Sequence, residues 1–236
     1  MPSIVAKMAQ SATRSDVVFF FDCDNTLLDN DRVHDDLNAY LGQTLGRENC
    51  ARYWAIYEEL RQELGYADYL GAVQRLRLGA ENDMRALQLS AFLLEYPFAS
   101  RLYPGALETI AHCRTHGLTV ILSDGDAVFQ PHKFRRAGLW DIVDGRVLIY
   151  IHKERMLHDA MQRYPARHYF MIDDKLRILA SMKAILRDSL TTMWPRQGHY
   201  ALDVAANAAY PGADVTVDRI DELAQYDFSE HTCPQK

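Results

Sequence analysis

The chain has 236 residues, 48% of them hydrophobic, and a formal net charge of −6. This length suits one large domain or a domain with a sizeable insertion, and the acidic charge argues against nucleic acid as the main partner. No apolar stretch approaches the length of a transmembrane helix, and residues 1–15 form a mixed polar segment without a secretory apolar region. The four cysteines are scattered, without a CxxC pair. We therefore expect a cytoplasmic protein with no membrane partner and with flexible tails at residues 1–15 and 229–236, and the sequence leaves the oligomeric state open.

The first predicted strand is the apolar run from Val17 to Phe21, which the sequence Asp22-Cys23-Asp24-Asn25-Thr26 follows directly. The run is too short to span a membrane and is rich in residue types that strands favour. Two carboxylates two positions apart at the end of a strand can point into one small volume. Buried carboxylates are costly unless a cation or hydrogen bonds compensate for them. This strand end therefore indicates a metal-binding, chemically active site.

The region from Asn30 to about Leu94 has an almost entirely helical pattern. Apolar residues recur there at helical spacing, and Gly65, Gly71 and Gly79 interrupt it. The pattern predicts about four short helices.

Strands and helices alternate in the second half of the chain. The predicted strands cover residues 118–122, 146–151, 168–172, 190–194 and 215–217, and the predicted helices cover residues 130–137, 154–163 and 176–187. This alternation predicts an α/β fold, a doubly wound (Rossmann-like) parallel sheet with helices on both faces. We expect the core to comprise residues 16–29 and 100–228, with residues 30–99 as an inserted all-helical domain.

Ligands of such sheets bind at the carboxyl ends of the strands. Acidic, hydroxyl and basic side chains follow the predicted strands there, namely Asp22, Asp24, Ser123, Lys153, Asp173 and Asp174. This set suits a phosphate group and a metal ion.

The order of these motifs resembles that of the haloacid dehalogenase superfamily, and specifically of its phosphatase-type members. The stretch from Asp22 to Thr26 matches the first motif of that family position by position, and the later motifs follow in order along the whole chain. The resemblance implies that Asp22 is a nucleophile that forms an aspartyl-phosphate. It implies that Asp24 is the general acid and base. The carbon–halogen and phosphonate branches lack an acid at the position of Asp24, so this residue favours phosphate esters.

The resemblance also assigns the phosphate-binding side chains. Ser123 would donate a hydrogen bond to a phosphoryl oxygen, and Thr26 would support the first loop beside it. Asp124 stands where relatives often carry asparagine, so we place it in the phosphate-binding set. A turn or a helix cap is the alternative for Asp124 and for the second acid, Asp126. Lys153 would neutralise the phosphoryl charge and the Asp22 carboxylate. Lys133 is the other candidate for this role, but it is predicted to be a solvated residue in the middle of a helix.

The resemblance further implies a magnesium site, for which oxygen ligands are the preferred donors. Asp22, the backbone carbonyl of Asp24, Asp173 and Asp174 are the expected ligands. Many relatives carry an acid where this chain has Arg177, so Asp174 is a candidate substitute. An N-cap role for Asp174 is the alternative.

The inserted helical region resembles the C1 cap of the family, a lid over the strand ends. Candidate substrate contacts within it are Tyr66, Tyr69, Arg75 and Arg77. We predict a Mg²⁺-dependent phosphomonoester hydrolase for a small phosphorylated metabolite, acting through a covalent phosphoaspartate. There are two alternatives to this function. One is a phosphomutase of the same superfamily, and the other is a phospho-acceptor or binding protein without turnover.

Overall fold

The computed structural model describes residues 15–77 and 83–228. Six strands form one sheet: β1 (Ser15–Phe21), β2 (Leu118–Asp124), β3 (Val147–Tyr150), β4 (Ala166–Ile172), β5 (Leu190–Pro195) and β6 (Val215–Val217). They lie in the order β3-β2-β1-β4-β5-β6, and every neighbouring pair is parallel. The predicted α/β fold with a parallel sheet is confirmed.

Helices connect the strands and pack on both faces of the sheet. They are α1 (Asn30–Leu64), α2 (Tyr69–Leu76), α3 (Met84–Glu95), α4 (Ala106–Arg114), α5 (Phe129–Arg136), α6 (Leu139–Ile142), α7 (Leu157–Arg163), α8 (Leu176–Leu186), α9 (Gly198–Leu202) and α10 (Val204–Asn207). In the part of the chain that the structure describes, four short 3-10 helices accompany them: Phe98–Arg101, Lys153–Arg155, Arg187–Ser189 and Ile220–Gln225. Within the described residues, no helix is long and apolar enough to cross a membrane.

The apolar run of β1 is buried on both of its faces. Phe19 and Phe21 belong to the hydrophobic cluster on one side of the sheet, and Val18 and Phe20 belong to the cluster on the other side. Successive side chains of a strand point to opposite faces, so a central strand of a covered sheet must be apolar throughout. Burying each phenylalanine contributes about 1.5–3 kcal/mol relative to leaving it exposed. The strand therefore holds the following acidic loop on a rigid base.

The segment between β1 and β2 is helical, but the sequence-based boundaries are partly wrong. α1 consists of two helical stretches that meet at a kink at Gly46, whose backbone is non-helical (φ 77°, ψ 168°), so two helices lie here as the spacing predicts. Gly71 lies inside α2 and does not separate two helices, whereas Gly79 lies outside the described residues. Leu37 and Tyr53 of α1 are fully buried in the cluster that covers β1. The helical segment thus shares a core with the sheet.

Two other boundaries differ from the sequence-based expectation. The helix predicted from residue 154 begins at Leu157, because a 3-10 turn over Lys153–Arg155 precedes it. Ser15 belongs to β1, where its backbone N–H donates to the Pro165 carbonyl. The remaining residues of the two predicted tails, 1–14 and 229–236, lie outside the described residues.

Candidate active site

The loop after β1 is fixed by backbone hydrogen bonds to itself and to the neighbouring strand. Asp22 N–H donates to the Ile172 carbonyl at 2.9 Å, and the N–H groups of Leu27 and Leu28 donate to the Cys23 carbonyl. Asn25 adopts a left-handed conformation with φ 64°, which asparagine tolerates better than most residues. The chain therefore turns back sharply after Asp24, and Asp22 and Asp24 stay at the carboxyl edge of the sheet.

Lys153 lies behind Asp22 and joins two of the predicted site residues. Its Nζ donates a short hydrogen bond to Asp22 Oδ1 and forms an ion pair with Asp173 Oδ2 at 2.6 Å. Lys153 and Asp173 have no exposed surface, and Asp22 is 3% exposed. Burial raises the pKa of Asp22 to about 6, although the Lys153 ammonium opposes the shift. The structure thus brings Lys153 to the predicted nucleophile.

Three carboxylates at this edge form a cluster with the geometry of a cation site. Asp22, Asp173 and Asp174 each offer an oxygen within 4.8 Å of the others. Asp22 Oδ2 and both carboxylate oxygens of Asp174 are buried without a hydrogen-bond partner among the described residues. Burial raises the pKa of Asp174 well above its usual range. Orphaned carboxylate oxygens in a buried acidic cluster fit a Mg²⁺ ion, which prefers such ligands.

Asp174 does not act as the N-cap of α8. The residue at the N-cap position is Lys175, whose N–H donates to Asp173 Oδ1 at 2.8 Å. The backbone of Asp174 is held on both sides, since its N–H donates to the Thr26 hydroxyl and its carbonyl accepts from Trp194 Nε1. Its side chain is therefore free to face the acidic cluster, and the Thr26 hydroxyl supports the loop.

The prediction for Lys133 is wrong. This lysine is 1% exposed, and its Nζ donates to Asp24 Oδ1 at 2.5 Å. Gln130, one helical turn earlier on α5, donates to Asp24 Oδ2 at 3.0 Å. Burial opposes ionisation of Asp24, but the Lys133 ammonium more than offsets it, and the net effect holds the pKa of Asp24 below its usual value. The middle of α5 therefore faces the loop after β1 and is not solvated.

The residues after β2 have distinct structural roles. Ser123 is 1% exposed, and its hydroxyl donates to the Asp124 carbonyl at 3.2 Å. Asp124 Oδ1 accepts from Lys153 N–H at 2.6 Å, so this acid ties β2 to the 3-10 turn that carries Lys153. Asp126 accepts from Val128 N–H and Phe129 N–H at the start of α5. The turn or cap alternative thus describes Asp126, while Asp124 also lines the cleft described next.

A cleft of about 840 Å³ opens above this edge of the sheet. Its lining includes Asp24, Asp124 and Lys133, together with Tyr66 and Tyr69 of the inserted helical segment. Five of the predicted site residues are buried and do not line the cleft, namely Asp22, Ser123, Lys153, Asp173 and Asp174.

The two arginines that we expected to contact substrate lie elsewhere. Arg75 and Arg77 do not line the cleft; Arg75 forms an ion pair with Glu63 at 2.6 Å, and Arg77 donates to Gln74. Arg177, which stands where relatives carry an acid, forms an ion pair with Glu154 at 3.3 Å. A cationic residue at that position therefore adds no ligand to the acidic cluster.

Sequence reasoning missed several cleft residues besides Lys133. They are Gln130, Lys175, Arg61, His199 and Tyr200. One signal was present for Gln130 and Lys133, because residues three apart share one face of a helix. Nothing in the sequence indicated that the segment after β5 would return to the loop after β1.

A model of the haloacid dehalogenase-like hydrolases matches residues 17–185. The chain belongs to this family. A haloacid dehalogenase-like hydrolase from Burkholderia xenovorans LB400 is 62% identical, covers 90% of this chain and 99% of its own, and superposes with a TM-score of 0.84. No curated protein matches the chain.

Two more distant solved structures share the fold of this haloacid dehalogenase-like hydrolase. The HAD-hydrolase YfnB from Bacillus subtilis, bound to magnesium, is 16% identical with a TM-score of 0.60, and the alignment covers 89% of this chain and 97% of that one. L-2-haloacid dehalogenase from Xanthobacter autotrophicus is 18% identical with a TM-score of 0.57, and the alignment covers 88% of this chain and 96% of that one. At these identities the likeness shows the fold alone.

Proposed function

We propose that this haloacid dehalogenase-like hydrolase cleaves phosphate monoesters through a covalent phosphoaspartate on Asp22, with Mg²⁺ as its cofactor. The observation that carries the proposal is the second carboxylate, Asp24, which lines the cleft and is held there by Lys133 and Gln130. The carbon–halogen branch of the family lacks an acid at this position. A carboxylate at the mouth of the site supplies the proton transfers that a phosphate ester requires.

Asp22 and Asp24 have different roles in the proposed reaction. The Asp22 carboxylate attacks phosphorus, and the bond between phosphorus and the leaving oxygen breaks as the aspartyl-phosphate forms. Asp24 then takes a proton from the water that hydrolyses this intermediate, a step that needs the carboxylate form favoured by Lys133. Donation of a proton to the leaving group uses the less populated protonated form of Asp24. Ser123 and Lys153 would bind the phosphoryl oxygens from the base of the cleft.

The residues that would hold Mg²⁺ are Asp22, Asp173, Asp174 and the backbone carbonyl of Asp24. The unpartnered oxygens of Asp22 and Asp174 support this assignment. When bound, the ion would offset the repulsion between the nucleophilic carboxylate and an anionic phosphate.

The inserted segment, residues 30–99, would act as a cap over the site. Tyr57, Arg61 and Tyr69 of this segment line the same cleft as Asp24. A cleft of this volume suits a small phosphorylated metabolite. A lid of this kind excludes water during attack and opens for release. A cytoplasmic location is the expectation that accompanies a soluble metabolite.

A panel of phosphorylated metabolites tests the proposal, assayed for phosphate release with and without Mg²⁺ and repeated with Asp22→Asn. We expect release that depends on Mg²⁺ and falls at least a thousandfold in the variant, as for loss of a nucleophile. Release that persists in Asp22→Asn would contradict the covalent mechanism.

Two parallel measurements separate the alternatives. A phosphomutase would convert a sugar phosphate into its isomer with little free phosphate, and a phospho-acceptor would hold the phosphoryl group without turnover. Halide release from a 2-haloacid without phosphate release would assign the chain to the carbon–halogen chemistry instead.

A further inference from the structure

Three lysines lie at the carboxyl edge of the sheet, and two of them are committed to carboxylates. Lys153 forms ion pairs with Asp22 and Asp173 and has no exposed surface. Lys133 forms an ion pair with Asp24 and also donates to Asn30 at 3.4 Å. The positive charge of each of these two lysines is therefore already balanced by at least one carboxylate.

Lys175 differs from both. It follows Asp174 at the end of β4 and lines the cleft. Its ammonium forms no hydrogen bond or ion pair with residues 15–77 or 83–228 and lies 4.8 Å from the centre of the Tyr200 ring. An ammonium beside a cleft normally has a carboxylate partner or faces bulk water, because an uncompensated charge is costly to bury. Lys175 therefore carries an uncommitted positive charge towards the cleft.

Tyr200 fixes the position of this charge. The Tyr200 hydroxyl accepts a hydrogen bond from Arg61 Nη2 at 3.0 Å, which anchors the ring between α1 and the strand ends. A cation over an aromatic face is attracted by about 0.5–2 kcal/mol. The carboxylates of Asp22, Asp173 and Asp174 attract the same ammonium over longer distances without touching it. Lys175 is thus held near the reacting edge with its donors free.

We infer that Lys175 binds the phosphoryl group of the substrate, as a cation separate from Lys153. The inference rests on the proposed function, since it needs an anionic group in the cleft above Asp22. An ammonium has three donors and pairs readily with phosphate oxygens. On this account Lys153 orients the two buried carboxylates and contacts the phosphoryl group beside Asp22, and Lys175 adds a second cation from the cleft side.

The test measures binding of inorganic phosphate, with Mg²⁺ present, by titration calorimetry, together with kcat and KM for p-nitrophenyl phosphate. Lys175→Met is compared with Lys175→Arg, which keeps the charge, and with Arg167→Gln. Arg167 is an exposed residue paired with Asp16 at the opposite edge of the sheet. We expect Lys175→Met to weaken phosphate binding and raise KM by about tenfold or more, the usual effect of losing a charged hydrogen bond. Lys175→Arg should restore most of the affinity, and Arg167→Gln should match the wild type.

The outcomes distinguish this inference from the proposed function. A wild-type protein that releases phosphate, with unchanged phosphate affinity and KM in Lys175→Met, overturns the role of Lys175 alone. A wild-type protein that neither binds nor releases phosphate overturns both. Thermal melting checks that Lys175→Met is folded, and Lys175→Gln replaces it if it is not.

Discussion

Lys133 Nζ lies 2.5 Å from Asp24 Oδ1, and this buried ion pair joins the middle of α5 to the loop after β1. The lysine side chain is 1% exposed and the aspartate side chain 25% exposed. Removing one partner of such a pair leaves an uncompensated charge. The pair therefore couples the stability of the site to the protonation state of its proposed general base.

Replacing Lys133 with methionine tests this coupling. We expect Lys133→Met to lower the free energy of unfolding by about 3 kcal/mol, the low end for buried pairs because Asp24 is partly exposed. Turnover should fall about a hundredfold, the usual contribution of a general base. Urea unfolding of Lys133→Met, Asp24→Asn and the double variant measures the coupling, and the double variant should be more stable than Lys133→Met. Simple additivity of the two substitutions would show that the residues do not interact.

Asp174 gives a prediction about the metal that does not depend on turnover. Both of its carboxylate oxygens are buried without partners, so Asp174→Asn should raise the melting temperature in the presence of a chelator. The same change should weaken Mg²⁺ binding. A ligand present at a hundred times its Kd stabilises the folded protein by about 2.7 kcal/mol. At the Mg²⁺ concentration that gives this stabilisation in the wild type, Asp174→Asn should lose most of it.

Thermal melting with chelator and with added Mg²⁺ measures both effects of Asp174→Asn. Asp126→Asn is the matched control, because Asp126 caps α5 and lies outside the acidic cluster. An Asp174→Asn protein that Mg²⁺ stabilises as much as it stabilises the wild type would remove Asp174 from the ligand set.

The hydrogen bonds of Asp36 predict that the free energy of unfolding depends on pH. This carboxylate on α1 accepts from Tyr96 Oη at 2.5 Å and from Arg101 Nη2 at 2.6 Å, which ties together the two ends of the inserted segment. Although partial burial opposes it, the hydrogen bonds from Tyr96 and Arg101 lower the pKa of Asp36 below its ordinary value of 3.8. A group with a lowered folded-state pKa stabilises the protein above its unfolded-state pKa and loses that effect as the pH falls through the folded-state value.

We therefore expect Asp36→Asn to cost about 1 kcal/mol at pH 7. The difference from the wild type should shrink as the pH falls below 3.8. Urea unfolding midpoints of both proteins, measured across this range, check the sign. A difference that grows on acidification would contradict the assignment of the ion pair.

Gly198 tests the contact between the segment after β5 and the first loop. Its φ is 75°, and an added Cβ would lie 2.5 Å from the Asn25 Cβ. Gly198→Ala should therefore cost about 1–3 kcal/mol through backbone strain and the clash, and it should raise KM because His199 and Tyr200 move with this segment. Gly212→Ala is the control, since a Cβ there meets nothing within 4 Å. Equal unfolding midpoints for the two variants would refute the close approach.

The sequence predicted the sheet because β1 and the later strands carry the local pattern that burial requires. Residues 17–21 are apolar throughout, as a strand covered on both faces must be. The edge at which Asp22, Lys153 and Asp173 meet followed from the parallel topology alone. These positions needed no knowledge of side-chain packing.

The sequence did not predict the environment of Lys133, the ion pair of Lys153 with Asp173 or the exposure of Lys175 to the cleft. A lysine in a helix has the same local pattern whether its ammonium faces solvent or a carboxylate from a distant loop. Asp24 and Lys133 are 109 residues apart in the chain, so only tertiary packing creates the pair.

Rapid acid quench of the phosphatase reaction, followed by mass spectrometry of the peptides, tests the central claim most directly. The wild type and Asp24→Asn are each mixed with p-nitrophenyl phosphate and Mg²⁺ for less than one turnover. We predict one phosphoryl group on the peptide that contains Asp22, with more of it in Asp24→Asn because hydrolysis of the intermediate is slowed. Phosphate release by a wild type whose Asp22 peptide never carries the group, or a label on another peptide, would contradict the account.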